Sequence, residues 1–281
     1  MRVWVASIVY YAYCYAVCEV LRWLVLTVVP KPRQSLTIQL LLEFVGTLQI
    51  CAPMFDVGTV MEHYGLFGVF IEITGLEIVN SFVLRDAVAH PCPLVTTCYR
   101  RSKAFRRAVY VFFVQILAAY SSYFVARQFW KFGIHDCHHE LLGASTCSSD
   151  LTVALAVGCV IEGAATFIGK AFEHFASERY PDSTTQVLVN CSFSGFLCVL
   201  GINFTGMYAN PIVAWACTFN CEGVSHFGHL FVYWLAPLAG WYAAEIFFGS
   251  EDSEVLLEDE PEPEKKEKAV ESKAKETKKE K

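Results

Sequence analysis

Asn210-Pro211 is the pair with the most specific consequence in this chain. Asparagine caps the free amides at a helix start, and proline fits the first helical turn. The pair follows a Thr205-Gly206 turn and is predicted to open a helix of about ten residues, ending near Phe219-Asn220-Cys221. Such a helix is too short for a bilayer core of about 30 Å, which takes roughly 20 residues. Its free N–H groups form an electropositive end that hydrogen-bonds a neutral molecule and repels a cation. Ile212 and Val213 follow the pair. A second motif, His90-Pro91-Cys92-Pro93-Leu94, holds two prolines, so its helix opens either as His-Pro-Cys or as Cys-Pro-Leu. Glu43 and Glu162 complete the set, each in the middle of an apolar stretch and each followed four residues on by a threonine, Thr47 and Thr166. A carboxylate in such a place is costly and faces the bundle interior. The matched spacing favours support of loop backbone over an unrelated packing hydrogen bond.

Other groupings say less. His135-Asp136-Cys137-His138-His139-Glu140 is dense in metal-ligand types, but one run in one loop has no specific ligand spacing, and solvated loop residues are expected, with no metal and no cofactor. Cys137 and Cys147 are candidates for a disulfide, with Cys221 either packing at the end of the short helix or pairing itself. Asn190-Cys191-Ser192 and Asn203-Phe204-Thr205 match the glycosylation sequon but fall in or at apolar segments, where use is not expected. Lys278 and Lys279 stand four and three residues from the C-terminal end, the spacing of a dilysine retrieval signal to the endoplasmic reticulum.

The elements that must position these residues are apolar helices. The chain is 54% hydrophobic and 18% charged, with a mean hydropathy of +0.39. Seven stretches approach the length of a membrane span: 3–29, 36–54, 65–84, 105–130, 151–172, 186–203 and 227–249. Backbone inside lipid must pair internally, so these are predicted helices of an all-α membrane protein. Residues 1–30 read as an extra N-terminal hydrophobic helix carrying Glu19 and Arg22, without a clear leader-cleavage pattern. Residues 31–130 and 151–249 form two half-repeats joined by a loop at 131–150, and 250–281 is a Glu/Lys-rich tail expected to be disordered. Each half holds three spans and one proline motif, and an odd number of spans makes the repeat inverted. The Arg-rich loops, with Arg33, Arg85, Arg100, Arg101, Arg106 and Arg107, place the tail in the cytosol and residues 131–150 opposite. Most of the 12 cysteines lie in apolar runs and no Cys-x-x-Cys pair occurs, which argues against a secreted disulfide scaffold. No basic patch points to nucleic acid.

Glu43, Glu162, Gln115, Thr205-Gly206, Asn210-Pro211 and the run Tyr233 to Leu238 together resemble the aquaporin superfamily over residues 36–249. The deviant first motif, with Cys221 nine residues past the second, resembles its unorthodox subcellular branch, the aquaporin eleven/twelve type or superaquaporins. The Cys-Pro-Leu form is similar to invertebrate members, arthropods in particular. The resemblance implies six spanning helices, two re-entrant half-helices and a homotetramer. It implies passive flux of water and small neutral solutes such as glycerol or hydrogen peroxide across an intracellular bilayer, and no enzymatic chemistry. Carried over by position, the narrow filter falls on Phe70, Cys198, Met207 and Val213; valine stands where the family has arginine, so the ring is apolar. Two rival readings are a membrane-embedded lipid-modifying enzyme and a non-conducting organiser of reticulum membranes.

Overall fold

The computed structural model describes residues 2–32, 35–85, 87–100 and 105–248, without the side chains of 97–100. The tail, with Lys278 and Lys279, and the basic residues Arg33, Arg101 and Lys103 lie outside the described residues. Among the described residues the fold is all-helical, apart from one isolated bridge between Ser148 and Glu222. Six stretches of helix are long and apolar enough to cross a membrane by length and composition.

Helix α1 spans Val3–Val28. Helix α2, Leu36–Cys51, is capped by the Ser35 hydroxyl, which accepts the Ile38 amide. It does not end at residue 54 as expected. Pro53 is absorbed in a 3-10 turn, Ala52–Asp56, and the helix resumes as α3, Val57–Val83. The whole run is 48 residues, roughly twice what one crossing takes. It breaks at Gly65, whose φ of 62° and ψ of −162° suit only glycine. The second membrane-length segment therefore carries its helix on to Tyr64 before the chain reverses.

Helix α4 is short, Pro91–Arg100. Then come α5, Phe105–Trp130, and α6, Asp136–Gly143, a loop helix. Helices α7, Leu155–Arg179, and α8, Ser183–Thr205, follow, the latter ending on Gly206 in the left-handed region at φ 81°. The short α9 is Pro211–Thr218. The last segment is α10, His226–Leu230, a π-helical turn at Phe231–Leu235, and α11, Ala236–Phe248. The wider turn lies just before Pro237, which lacks an N–H and would clash with the carbonyl one turn back in a regular helix.

Packing repeats between the halves. α2 lies on α5 as α7 lies on α11, and α3 lies on α8 between the halves. At the α7–α11 crossing Gly163 and Gly240 touch so closely that a Cβ on Gly240 would stand 2.1 Å from the Gly163 carbonyl oxygen.

Helix α1 packs on α2, α3 and α5 through a polar stripe. The Tyr11 hydroxyl meets both Glu72 and Asp56, the latter at 3.0 Å. Tyr15 donates to Asn80 Oδ1 at 3.1 Å, and Gln49 Nε2 donates to the same oxygen at 3.2 Å. Arg22, buried, donates to Gln49 Oε1 at 3.0 Å and to Glu19, which also accepts from Arg85 at 3.1 Å. Tyr10 donates to the Ala52 carbonyl. Asp56, Glu72, Gln49 and Asn80 are all buried, and α1 supplies partners to each of them except where Gln49 and Asn80 meet one another.

Candidate functional site

The two short helices begin in the interior, and what precedes each is built alike. Glu162 on α7 accepts the Thr205 hydroxyl at 2.7 Å and the amides of Tyr208 and Ala209 at 3.1 and 2.8 Å. Glu43 on α2 accepts the amides of Val88 and Ala89 at 2.8 and 2.7 Å and Gln115 Nε2 at 2.7 Å. Both carboxylates are buried. Such charge-assisted bonds, each worth about 1.5–3 kcal/mol, hold loop amides that otherwise have no helical partner. They also hold strain, since Ala89 and Ala209 sit in the left-handed region at φ 49° and 48°. A non-glycine residue is uncommon there. The accompanying threonines differ: Thr166 donates to the Glu162 carbonyl at 2.8 Å, whereas the buried Thr47 hydroxyl has no partner.

The structure settles the register of the first motif as His-Pro-Cys. α4 starts at Pro91, and His90 Nδ1 accepts the Cys92 amide at 3.2 Å. Asn210 Oδ1 accepts the Ile212 amide at 3.1 Å in the same way. Pro93 and Leu94 therefore lie within the helix rather than at its start. The halves meet where Asn210 Nδ2 donates to the Ala89 carbonyl at 3.0 Å, and the His90 ring lies near the Ala209 carbonyl on the other side. The two helix N-termini thus face each other across a joint of matched backbone, with histidine in one place and asparagine in the other.

The four positions expected to form the filter are partly brought together. Cys198 is buried with Val60, Val69 and Ile73, and Met207 packs on that group. Val213 sits in the neighbouring cluster with Cys51, Ala119 and Ile212. Met54 touches both clusters. Phe70 lies against Gly195, where a Cβ would stand 3.4 Å from its ring. Met54 escaped notice in the sequence because one methionine in an apolar run carries no local signal.

The expected Cys137–Cys147 pairing does not form. Cys147 is bonded to Cys221, and Cys137 is a free thiol. Spacing favoured the nearer partner. The fold instead lays 147–149 alongside 222, with Ser149 N–H donating to the Glu222 carbonyl at 2.7 Å and Glu222 N–H to the Cys147 carbonyl at 2.8 Å. Cys137 is held in α6, where its sulfur meets His135 Nδ1 at 3.2 Å. The same loop reaches the second motif through Asp150, which accepts the Tyr208 hydroxyl. Among the described residues no group of three or more His, Cys, Asp or Glu is placed to hold a metal.

No family model matches the chain. It is 23% identical to an aquaporin-11 of Milnesium tardigradum over 83% of both chains. It is 23% identical to a putative aquaporin-10 of Caenorhabditis elegans over 94% of both. Against aquaporin-12 of Mus musculus it is 24% identical over 84% of this chain and 81% of that one. Relatives of one kind, in a tardigrade, a nematode and a mouse, thus align along most of both chains, and this protein is similar to the aquaporins, those named aquaporin-11 and aquaporin-12 among them.

Proposed function

We propose that the protein is a passive channel of an intracellular membrane, admitting water and small neutral solutes such as glycerol and hydrogen peroxide. The observation that carries this reading is the joint of α4 and α9. Two helix N-termini converge there, and their loops are held by Glu43 and Glu162. Converging N-termini favour a hydrogen-bond-accepting neutral molecule and repel a cation. Cys198, Met207 and Val213 offer apolar surface, which supports passage of solutes larger than water. Both repeated glutamates are engaged by loop amides, which leaves neither free to act as an acid or base in a lipid-modifying reaction.

Charge placement supports a cytosolic C-terminus, and Lys278-Lys279 would then act as a reticulum retrieval signal. The Cys147–Cys221 bond supports an oxidising compartment on the opposite side. A homotetramer is the assembly that the family relationship favours. Osmotic flux into proteoliposomes of purified protein tests the channel, with Asn210→Asp as the comparison. That variant keeps the cap to Ile212 but loses the donor to Ala89 and adds a negative charge. Flux of water, glycerol and hydrogen peroxide, reduced by the variant, is expected. Swelling with water alone would remove the broad-solute reading. No flux of any kind would leave the non-conducting organiser.

A further inference from the structure

The halves match in backbone at their joint but not in the side chains beside the two short helices. On the α4 side, the Trp241 Nε1–H donates to Glu245 Oε1 at 2.7 Å, and the Thr96 hydroxyl of α4 donates to the same oxygen at 3.1 Å. The carboxylate is fixed from two directions and in turn fixes the indole. The ring lies 5.1 Å from the His90 imidazole, tilted by 43°. The Lys170 ammonium stands 4.7 Å from the ring centroid and pairs with Glu173 at 2.8 Å. Trp241 itself is only partly buried.

The repeat shows what is unusual here. Lys170 follows Glu162 by the same step that separates Cys51 from Glu43. Thr96 lies as far past Pro91 as Ala216 lies past Pro211, and the places on α5 that match Trp241 are Ser121 and Ser122. On the α9 side, then, a thiol, a methyl group and a hydroxyl stand where the α4 side has an ammonium, a buried donor and an indole.

Building on the channel reading above, we infer that Trp241 is a specificity-determining wall of the passage beside His90, and that Lys170 is the cation-repelling element that Val213 does not supply. An indole held by Glu245 narrows the way for bulky neutral solutes. Glu173 pairs with one side of the ammonium while the other faces the Trp241 ring, so positive charge is presented on the indole side, where it opposes a passing cation and leaves uncharged solutes unaffected. The cation–π contact and Glu173 hold the lysine over the ring without burying it.

The test uses the full-length chain in proteoliposomes, reading water, glycerol and potassium flux for Trp241→Ala, Trp241→Leu, Trp241→Phe and Lys170→Gln. The glycerol-to-water ratio should rise several-fold for Trp241→Ala, less for Trp241→Leu, and least for Trp241→Phe, which keeps an aromatic wall but loses the bond to Glu245. Lys170→Gln should leave both neutral fluxes near wild type and raise the potassium leak several-fold. A conducting wild type whose ratio and leak do not move in any variant would overturn the inference and leave the channel standing. A wild type that conducts nothing would sink both. Should Trp241→Ala fail to fold, the Leu and Phe variants and Lys170→Gln still decide the matter.

Discussion

His90 performs with a ring the capping task that Asn210 performs with an amide. Its Nδ1 accepts the Cys92 amide, which leaves the ring proton on Nε2, toward the opposite half. His90→Asn should therefore keep the melting temperature of detergent-solubilised protein near wild type. His90→Ala should cost about 1 kcal/mol, the usual loss of a helix cap. Glu162→Gln turns one acceptor oxygen into a donor facing loop N–H groups, and a loss of about 1–3 kcal/mol is expected by the same measurement. His138 on α6 gives a pH dependence. It is buried with Nδ1 unpartnered, and burial holds its imidazole below the ordinary 6.5, against the opposing pull of Asp56. The unfolded chain therefore takes up a proton at higher pH than the folded one. Its contribution to stability is present above 6.5 and is lost as pH falls through the depressed value. His138→Gln should flatten that acid limb in a melting series; an unchanged slope would rule the residue out. At this scale Asn210 and the two glutamates were legible, because capping is local and a carboxylate in an apolar run is rare. The register of the first motif was not, since two prolines two residues apart satisfy the same local rule and only the Glu43 contacts choose between them.

Among the elements, α1 carries the largest gain over sequence. Glu19 and Arg22 marked it as unusual, but nothing local says that Tyr11 faces Asp56 and Glu72, or that Arg22 reaches Gln49. Those pairings are tertiary. Glu72 gave the signal that singled out Glu43, a carboxylate within an apolar stretch, and so did Glu245 in the last helix. Without a matched partner in the repeat they passed unremarked. Tyr11→Phe deprives two buried carboxylates of their shared hydroxyl and should lower stability by about 1–3 kcal/mol. Tyr64→Phe, which alters the exposed contact to the Trp4 amide, should change it little. Equal effects in a thermal melt would mean that the stripe is incidental packing.

For the molecule as a whole, the all-helical architecture of membrane-length segments was legible because it rests on hydropathy and length. The disulfide was not, because its partners are 74 residues apart and meet only once the second half has folded. A chain-entropy treatment of a loop of that size gives up to about 4 kcal/mol. Cys147→Ser and Cys221→Ser should lower the melting temperature alike, and the double variant no further; additive losses would mean that the cysteines act separately. The stripe on α1 has a different timetable from that bond. Its partners lie 27 to 66 residues away, all before α4, whereas the joint between the halves spans 121. During synthesis the first three helices can therefore satisfy their polar groups before the ribosome has made the rest, and a nascent chain halted after Arg85 should already protect α1 from protease. The N-terminal segment would then serve as an internal escort, sheltering Asp56 and Glu72 from lipid while the second half is still being translated.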